Sequence, residues 1–184
     1  MTVISENAKK GFDHMLVQGV KAGFCASGDS MDFVVLPDNK TFTGNRIVIL
    51  TASSYLFRLF VLVYVTPNQV AKEYFAGLRN IQNPEMAESA LMDTICESGN
   101  MSVGALNRDM SKIFPHIGLS TPNIIDKHCG DYLHSLKCGH IQHFEISIGQ
   151  KYTFHVSLCV SQYDNIDFSV DTTEVESTGE LEMF

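Results

Sequence analysis

The chain has 184 residues, 45% of them hydrophobic and 18% charged, with a formal net charge of −8. That length and composition suit one globular domain with a full core. Seven acids follow Tyr163 (Asp164, Asp167, Asp171, Glu174, Glu176, Glu180, Glu182) with no Lys or Arg, so −8 becomes −1 for the body without them, which offers no basic face for nucleic acid.

The five cysteines (Cys25, Cys96, Cys129, Cys138, Cys159) are odd in number and form no CxxC pair. The first ten residues, MTVISENAKK, show no basic-then-apolar leader. Reduced thiols in a cytoplasm are the expectation.

Residues 5–22 read as a helix, with Phe12, Met15, Leu16 and Val20 at helical spacing and Gly23 at its end. Met31–Leu36 reads as a strand and PDNK as a turn. The apolar run from Arg46 to Val65 is long enough to suggest a membrane span. Thr51, Ser53, Ser54 and Arg58 interrupt it, and an arginine near a bilayer centre costs about 2.5 kcal/mol or more. Two strands, Ile47–Leu50 and Leu56–Val65, account for it better.

Thr66-Pro67 predicts a helix start, with a capping hydroxyl before a proline, and that helix runs to Leu78. Asn83-Pro84-Glu85 repeats the device and opens a second helix reaching Ser111 or Lys112. Leu119–Gly130 reads as irregular. Strands follow at 141–148 and 152–160, joined by a Gly149-Gln150 turn of type II′. Beyond Tyr163 the chain reads as an acidic tail, 164–184, with room for one strand near Ile166–Val170 and a mobile end. Short connections between strands imply an antiparallel sheet with helices on one face, an α+β domain over residues 1–163. A faint helix-then-strand-pair repeat runs through both halves.

On the helix from Pro84 to Lys112, Leu91, Ile95, Leu106, Met110 and Ile113 share one stripe with Gly99 and Ser102. Glu97, Asn100 and Gly104 fall opposite, with Asp93 beside them. Three residues apart, Glu97 and Asn100 stand together with Cβ atoms about 5–6 Å apart. An exposed Glu and Asn are ordinarily just solvated. Here, however, Gly99, Asn100 and Gly104 gather poor helix formers mid-helix, Gly at about 1 kcal/mol each against Ala. Either the helix breaks at Ser98-Gly99-Asn100, or these residues serve a purpose.

The segment Glu97-Ser98-Gly99-Asn100-Met101-Ser102-Val103-Gly104 resembles the E-x-x-N-x-x-x-G signature of the CheC/CheX/FliY family. Downstream, Ser120-Thr121-Pro122-Asn123-Ile124-Ile125 resembles that family's S-x-P-x-(V/I) segment, and Phe154-His155-Val156-Ser157-Leu158 suits its last strands. The resemblance implies a CheC/CheX-like fold of two pseudo-repeated halves. It also implies a phosphatase acting on the aspartyl phosphate of a CheY-like receiver domain. Asn100 would orient the attacking water and Glu97 would dock the receiver's lysine, with Asp93, Met101 and Gly104 at the partner contact. Mg²⁺ is expected on the receiver, and this chain needs no metal or cofactor of its own. CheC-type members carry a second E-x-x-N in the first helix; here Phe12 and Met15 stand there, the single-site, CheX-like condition, which carries an expected homodimer. The alternative within the same resemblance is a non-catalytic module that binds a receiver or a flagellar-switch-like partner.

His128, Cys129, His134, Cys138, His140 and His143 form a segment dense in potential metal ligands. Their spacings, His128-x5-His134 and His140-x2-His143, miss those of zinc sites. Cys96 has no histidine near it in sequence to act as a base. P-loop, GxGxxG and G-x-S-x-G motifs are absent from the sequence.

Overall fold

The computed structural model describes residues 2–81 and 86–171. Helix α1 (Glu6–Phe24) is capped by Ser5, whose side chain accepts from the Ala8 N–H. It is followed by strands β1 (Met31–Leu36), β2 (Arg46–Ser53) and β3 (Phe57–Val65), then helices α2 (Gln69–Leu78) and α3 (Glu88–Met110). Strands β4 (Gly118–Leu119) and β5 (Asn123–Asp126), a 3-10 helix (Lys127–Leu136), and strands β6 (His140–Ile148) and β7 (Tyr152–Gln162) complete the order.

The sheet runs β1-β6-β7-β3-β2-β4, with β5 also on β2, and every strand pair in it is antiparallel. That order is symmetric under exchange of halves. Each half supplies a helix, an edge strand and a hairpin, and each edge strand pairs with the other half's hairpin. The hairpins β2–β3 and β6–β7 meet at the centre, where Phe57 to Tyr64 pair with Gln162 to His155.

Alternation along the strands divides the interior in two. Leu59, Val61, Val63 and Val65 of β3 face the helices, together with Val156, Leu158 and Val160 of β7. Leu62, Tyr64 and Cys159 face the other way, beneath Leu133 and Leu136 of the 3-10 helix and Phe42 of the loop after β1. The three α-helices thus cover one face, and a smaller apolar cluster seals part of the other.

Several expectations from the sequence are corrected. The cap of α2 is Asn68, which accepts from the Ala71 N–H at 3.0 Å, while Thr66 Oγ1 donates to the Thr43 carbonyl. The expected start of α3 at Asn83-Pro84-Glu85 lies outside the described residues, and Ala87 at the N-cap of Glu88–Met110 makes no side-chain cap bond. Ile113 lies past the helix and is exposed; Phe114 is buried there instead, stacked on Phe12.

Leu119–Gly130 is ordered rather than irregular. Strands β4 and β5 are one edge strand on β2 with a bulge between them. Ala52↔Leu119 and Ile49↔Asn123 bracket two residues on β2 but three on the edge, Ser120-Thr121-Pro122. Proline is tolerated there because a bulge on an edge needs no ladder donor. Ser120 closes the gap: its N–H donates to the Thr51 carbonyl and its Oγ accepts from the Thr51 N–H, each at 2.9 Å.

The β6–β7 connection is one residue longer than a two-residue turn, since Ile148 pairs with Tyr152. The Gly149-Gln150 turn is nonetheless present, with Gly149 at φ +53° and the Lys151 N–H donating to the Ile148 carbonyl at 3.1 Å. After β7 the chain returns to α1. Ile166 forms a single parallel bridge with Ile4, not a strand, and Phe168 meets Phe12 edge-on at 5.0 Å between ring centroids.

Candidate functional site

Helix α3 is continuous across Ser98-Gly99-Asn100. The small residues at its centre explain why. Ser98, Gly99 and Ser102 are buried on the face that meets α1 and the sheet. A Cβ on Gly19 would lie 2.6 Å from the Ser102 carbonyl oxygen, and one on Gly23 2.8 Å from the Ser102 N–H nitrogen. The two helices therefore cross antiparallel at near backbone contact. A Cβ on Gly99 would lie 3.0 Å from Leu50 Cδ1 on β2. Gly99 is thus a packing residue, and the apparent helix breaker is what lets the helix lie close to its neighbours.

The opposite face is different. Asp93, Glu97, Asn100 and Met101 are exposed, and Gly104 is half-exposed. A Cβ on Gly104 would have no atom within 4 Å. Packing therefore gives no reason for either the Gly at 104 or the Asn at 100. Each weakens the helix relative to Ala without a contact in return. All five residues expected at the site are brought onto one ridge.

A carboxylate and an amide side by side can accept from a cation and orient a water. The amide does the latter through one donor and one acceptor, without ionising. Cys96 lies on the flank, half-buried against the core, and burial, then the Asp93 charge, pushes its thiol up, away from nucleophilic use.

One neighbour of the ridge is not visible in the sequence. Arg79, the residue after α2, reaches 19 residues along the chain to donate from Nη2 to Ser98 Oγ at 2.9 Å. Its Nη1 points at Met101 Sδ at 3.1 Å.

The histidine- and cysteine-rich segment does not assemble. His128 bonds Asp126, His140 bonds Asp13 at 2.7 Å, and His143 bonds Ser157 Oγ at 2.7 Å. Among the described residues, no three His, Cys, Asp or Glu side chains converge as a metal site. Cys138 and Cys159 do meet: hydrogen bonding from Cys159 holds the Cys138 thiol at about 7, while Cys159 is pushed well up. Among the described residues no helix is long and apolar enough to cross a membrane, and residues 46–65 form β2 and β3.

No protein-family model and no curated protein matches the sequence. Solved structures do. The chemotaxis protein CheX from Vibrio vulnificus superposes with a TM-score of 0.58 at 14% identity, over 82% of this chain and 99% of that one. A chain of the CheX-CheY-BeF3-Mg complex from Borrelia burgdorferi gives 0.53 at 13% identity, over 83% and 97%. FliY of Thermotoga maritima gives 0.52 at 10% identity, over 88% and 93%. The antiparallel sheet, the crossed pair of long helices and these superpositions together identify the fold of this chain as that of the CheC-like, CheX and FliY proteins.

Proposed function

We propose that this chain is a CheX-like phosphatase that hydrolyses the aspartyl phosphate of a CheY-like receiver domain. The observation that carries the reading is the exposed pairing of Glu97 and Asn100 on an unbroken α3, with open space above Gly104. The likeness to a chain crystallised in a CheX-CheY complex supports the same partner.

The chemistry needs little from this chain. An acyl phosphate is already activated, and phosphoryl transfer depends mainly on position and charge. Asn100 would hold a water in line with phosphorus, accepting from it through Oδ1 or donating through Nδ2. The water oxygen bonds to phosphorus as the bond to the aspartate oxygen breaks, giving inorganic phosphate and a free carboxylate. Glu97 would pair with the receiver's lysine and set the register of the helix. The Mg²⁺ of the reaction belongs to the receiver.

The test is decay of phosphate from a phosphorylated CheY-type receiver with and without the protein. Asn100→Ala lowers the accelerated rate about 100-fold or more, the scale of a lost positioning group. Glu97→Ala weakens receiver binding. Melting temperatures stay near wild type because both side chains are exposed. Wild-type dephosphorylation by the Glu97→Ala/Asn100→Ala double variant would end the proposal.

A second reading of the same fold is a non-catalytic module that holds a receiver or a flagellar-switch-like partner. It predicts a bound receiver whose phosphate lifetime is unchanged. Under either reading we propose a homodimer, which the exposed apolar edge strand β1, with Phe33, Val34 and Val35, supports.

A further inference from the structure

We infer that Arg79 is a docking residue of the α3 ridge, its guanidinium held ready for an oxyanion on the partner, a carboxylate or the phosphoryl group itself. The inference rests on the receiver reading above and adds a residue to it.

Arg79 is half-buried, and its backbone N–H closes α2 onto the Phe75 carbonyl at 3.1 Å. Its side chain leaves α2 for α3, where it finds only neutral partners. Nη2 donates to Ser98 Oγ, on a residue that is fully buried, and Nη1 meets the Met101 thioether, a weak acceptor. Among the described residues, Nε is buried without a partner. Among the described residues no carboxylate lies within 4.0 Å of the guanidinium.

Half-desolvating a cation without a counter-charge is costly, and arginine's fork is built for carboxylate or phosphate oxygens. The place of the charge matters as much as its lack of a counter-charge. Met101 follows Asn100 and stands one helical turn from Glu97, so the guanidinium lies on the flank of the ridge. A phosphoaspartate site presents both signs of charge: a lysine for Glu97, and anionic oxygens, which the Arg79 guanidinium beside Met101 is placed to meet. A tether between α2 and α3 would need only the bond to Ser98 and would leave the positive charge without purpose.

The experiment is steady-state dephosphorylation of a CheY-type receiver by wild type, Arg79→Gln, Arg79→Lys and Asn100→Ala, with thermal melts of each. Arg79→Gln should raise KM about 10- to 100-fold, as loss of an interface arginine does, while kcat falls less than about threefold. Arg79→Lys should recover part of the KM because it keeps the charge but not the fork. If Arg79→Gln does not fold, Arg79→Lys decides: a KM raised severalfold in a folded protein supports docking, and a wild-type KM overturns it. Kd for the receiver with and without beryllofluoride and Mg²⁺ separates the two oxyanions. A loss confined to the loaded receiver names the phosphoryl group, and an equal loss in both names a carboxylate. Wild-type KM and Kd for Arg79→Gln, or a Lys variant no better than Gln, would overturn the inference. If Asn100→Ala is inactive while the Arg79 variants dock normally, this inference alone fails. If Asn100→Ala is fully active, the receiver-phosphatase reading fails with it.

Discussion

Glycines on facing and outward positions of the two long helices should respond to alanine with opposite signs. Gly104→Ala removes a helix penalty of about 1 kcal/mol. The new methyl meets nothing within 4 Å, so nothing offsets the gain. For a chain of this size that gain raises the melting temperature by about 2–4 °C. Gly23→Ala makes the same local gain but would overlap Ser102 Oγ and the Ser98 carbonyl oxygen, and lie 2.8 Å from the Ser102 nitrogen. The hydroxyl can rotate away; two of the three obstacles are backbone and cannot. α1 and α3 must separate, at the about 1–3 kcal/mol typical of overpacking or more. With backbone in the way the upper end of that cost applies, so after the gain of about 1 kcal/mol the net expectation is a loss of about 2 kcal/mol and a melting temperature lowered by about 4–8 °C. Thermal and urea melts followed by circular dichroism read both variants. Receiver dephosphorylation adds a second axis: Gly104→Ala should be more stable yet slower, and Gly104→Leu slower still. A Gly104→Ala protein no more stable than wild type, or a Gly23→Ala protein that loses nothing, would refute the packing argument. Full activity in Gly104→Leu would remove Gly104 from the partner contact.

Two further outcomes concern the rest of the molecule. Burial lowers the pKa of His143 and His155 on the outer face, partly offset by Asp38 at His143 and Glu145 at His155. The unfolded chain therefore binds more protons than the folded one below the ordinary histidine value, so this contribution to stability is complete above about pH 7 and is lost as pH falls through about 6.5 toward the folded values. Urea midpoints should drop between pH 7 and pH 5, with a shallower slope in His143→Gln; a flat profile in wild type would contradict the burial argument. On the adjacent edge strand, Val34→Lys places a charge on β1, a standard obstacle to strand pairing. Sedimentation should show a wild-type dimer and a monomeric variant, and a monomeric wild type would exclude the dimer.

Much of this arrangement is legible in the sequence wherever one segment carries its own signal. Met31–Leu36 is bounded as expected, because an apolar run between CASGDS and PDNK leaves little choice. The outward placement of Glu97 and Asn100 follows from helical spacing alone. What depends on distant partners is not legible. β5 is four residues of an edge that exists only because β2 lies beside it, and its bulge is built from a serine whose bonding partner is 69 residues away. Asn68 rather than Thr66 caps α2 because the helix starts two residues later than Thr66-Pro67 suggests. Gly99 looks like a helix breaker until α1 and Leu50 are placed against its surroundings. Arg79 carries no local signal, since its side-chain contacts belong to another helix.

The contact of Gly99 with Leu50 means that the interior and the ridge are separated by a single peptide unit. Enlarging residue 50 would push on position 99, and Asn100 would move with it. A change at a fully enclosed strand residue then registers at the exposed ridge as well as in stability, which overpacking lowers by about 1–3 kcal/mol. Variation in the sheet beneath α3 belongs in the same ledger as variation on its surface.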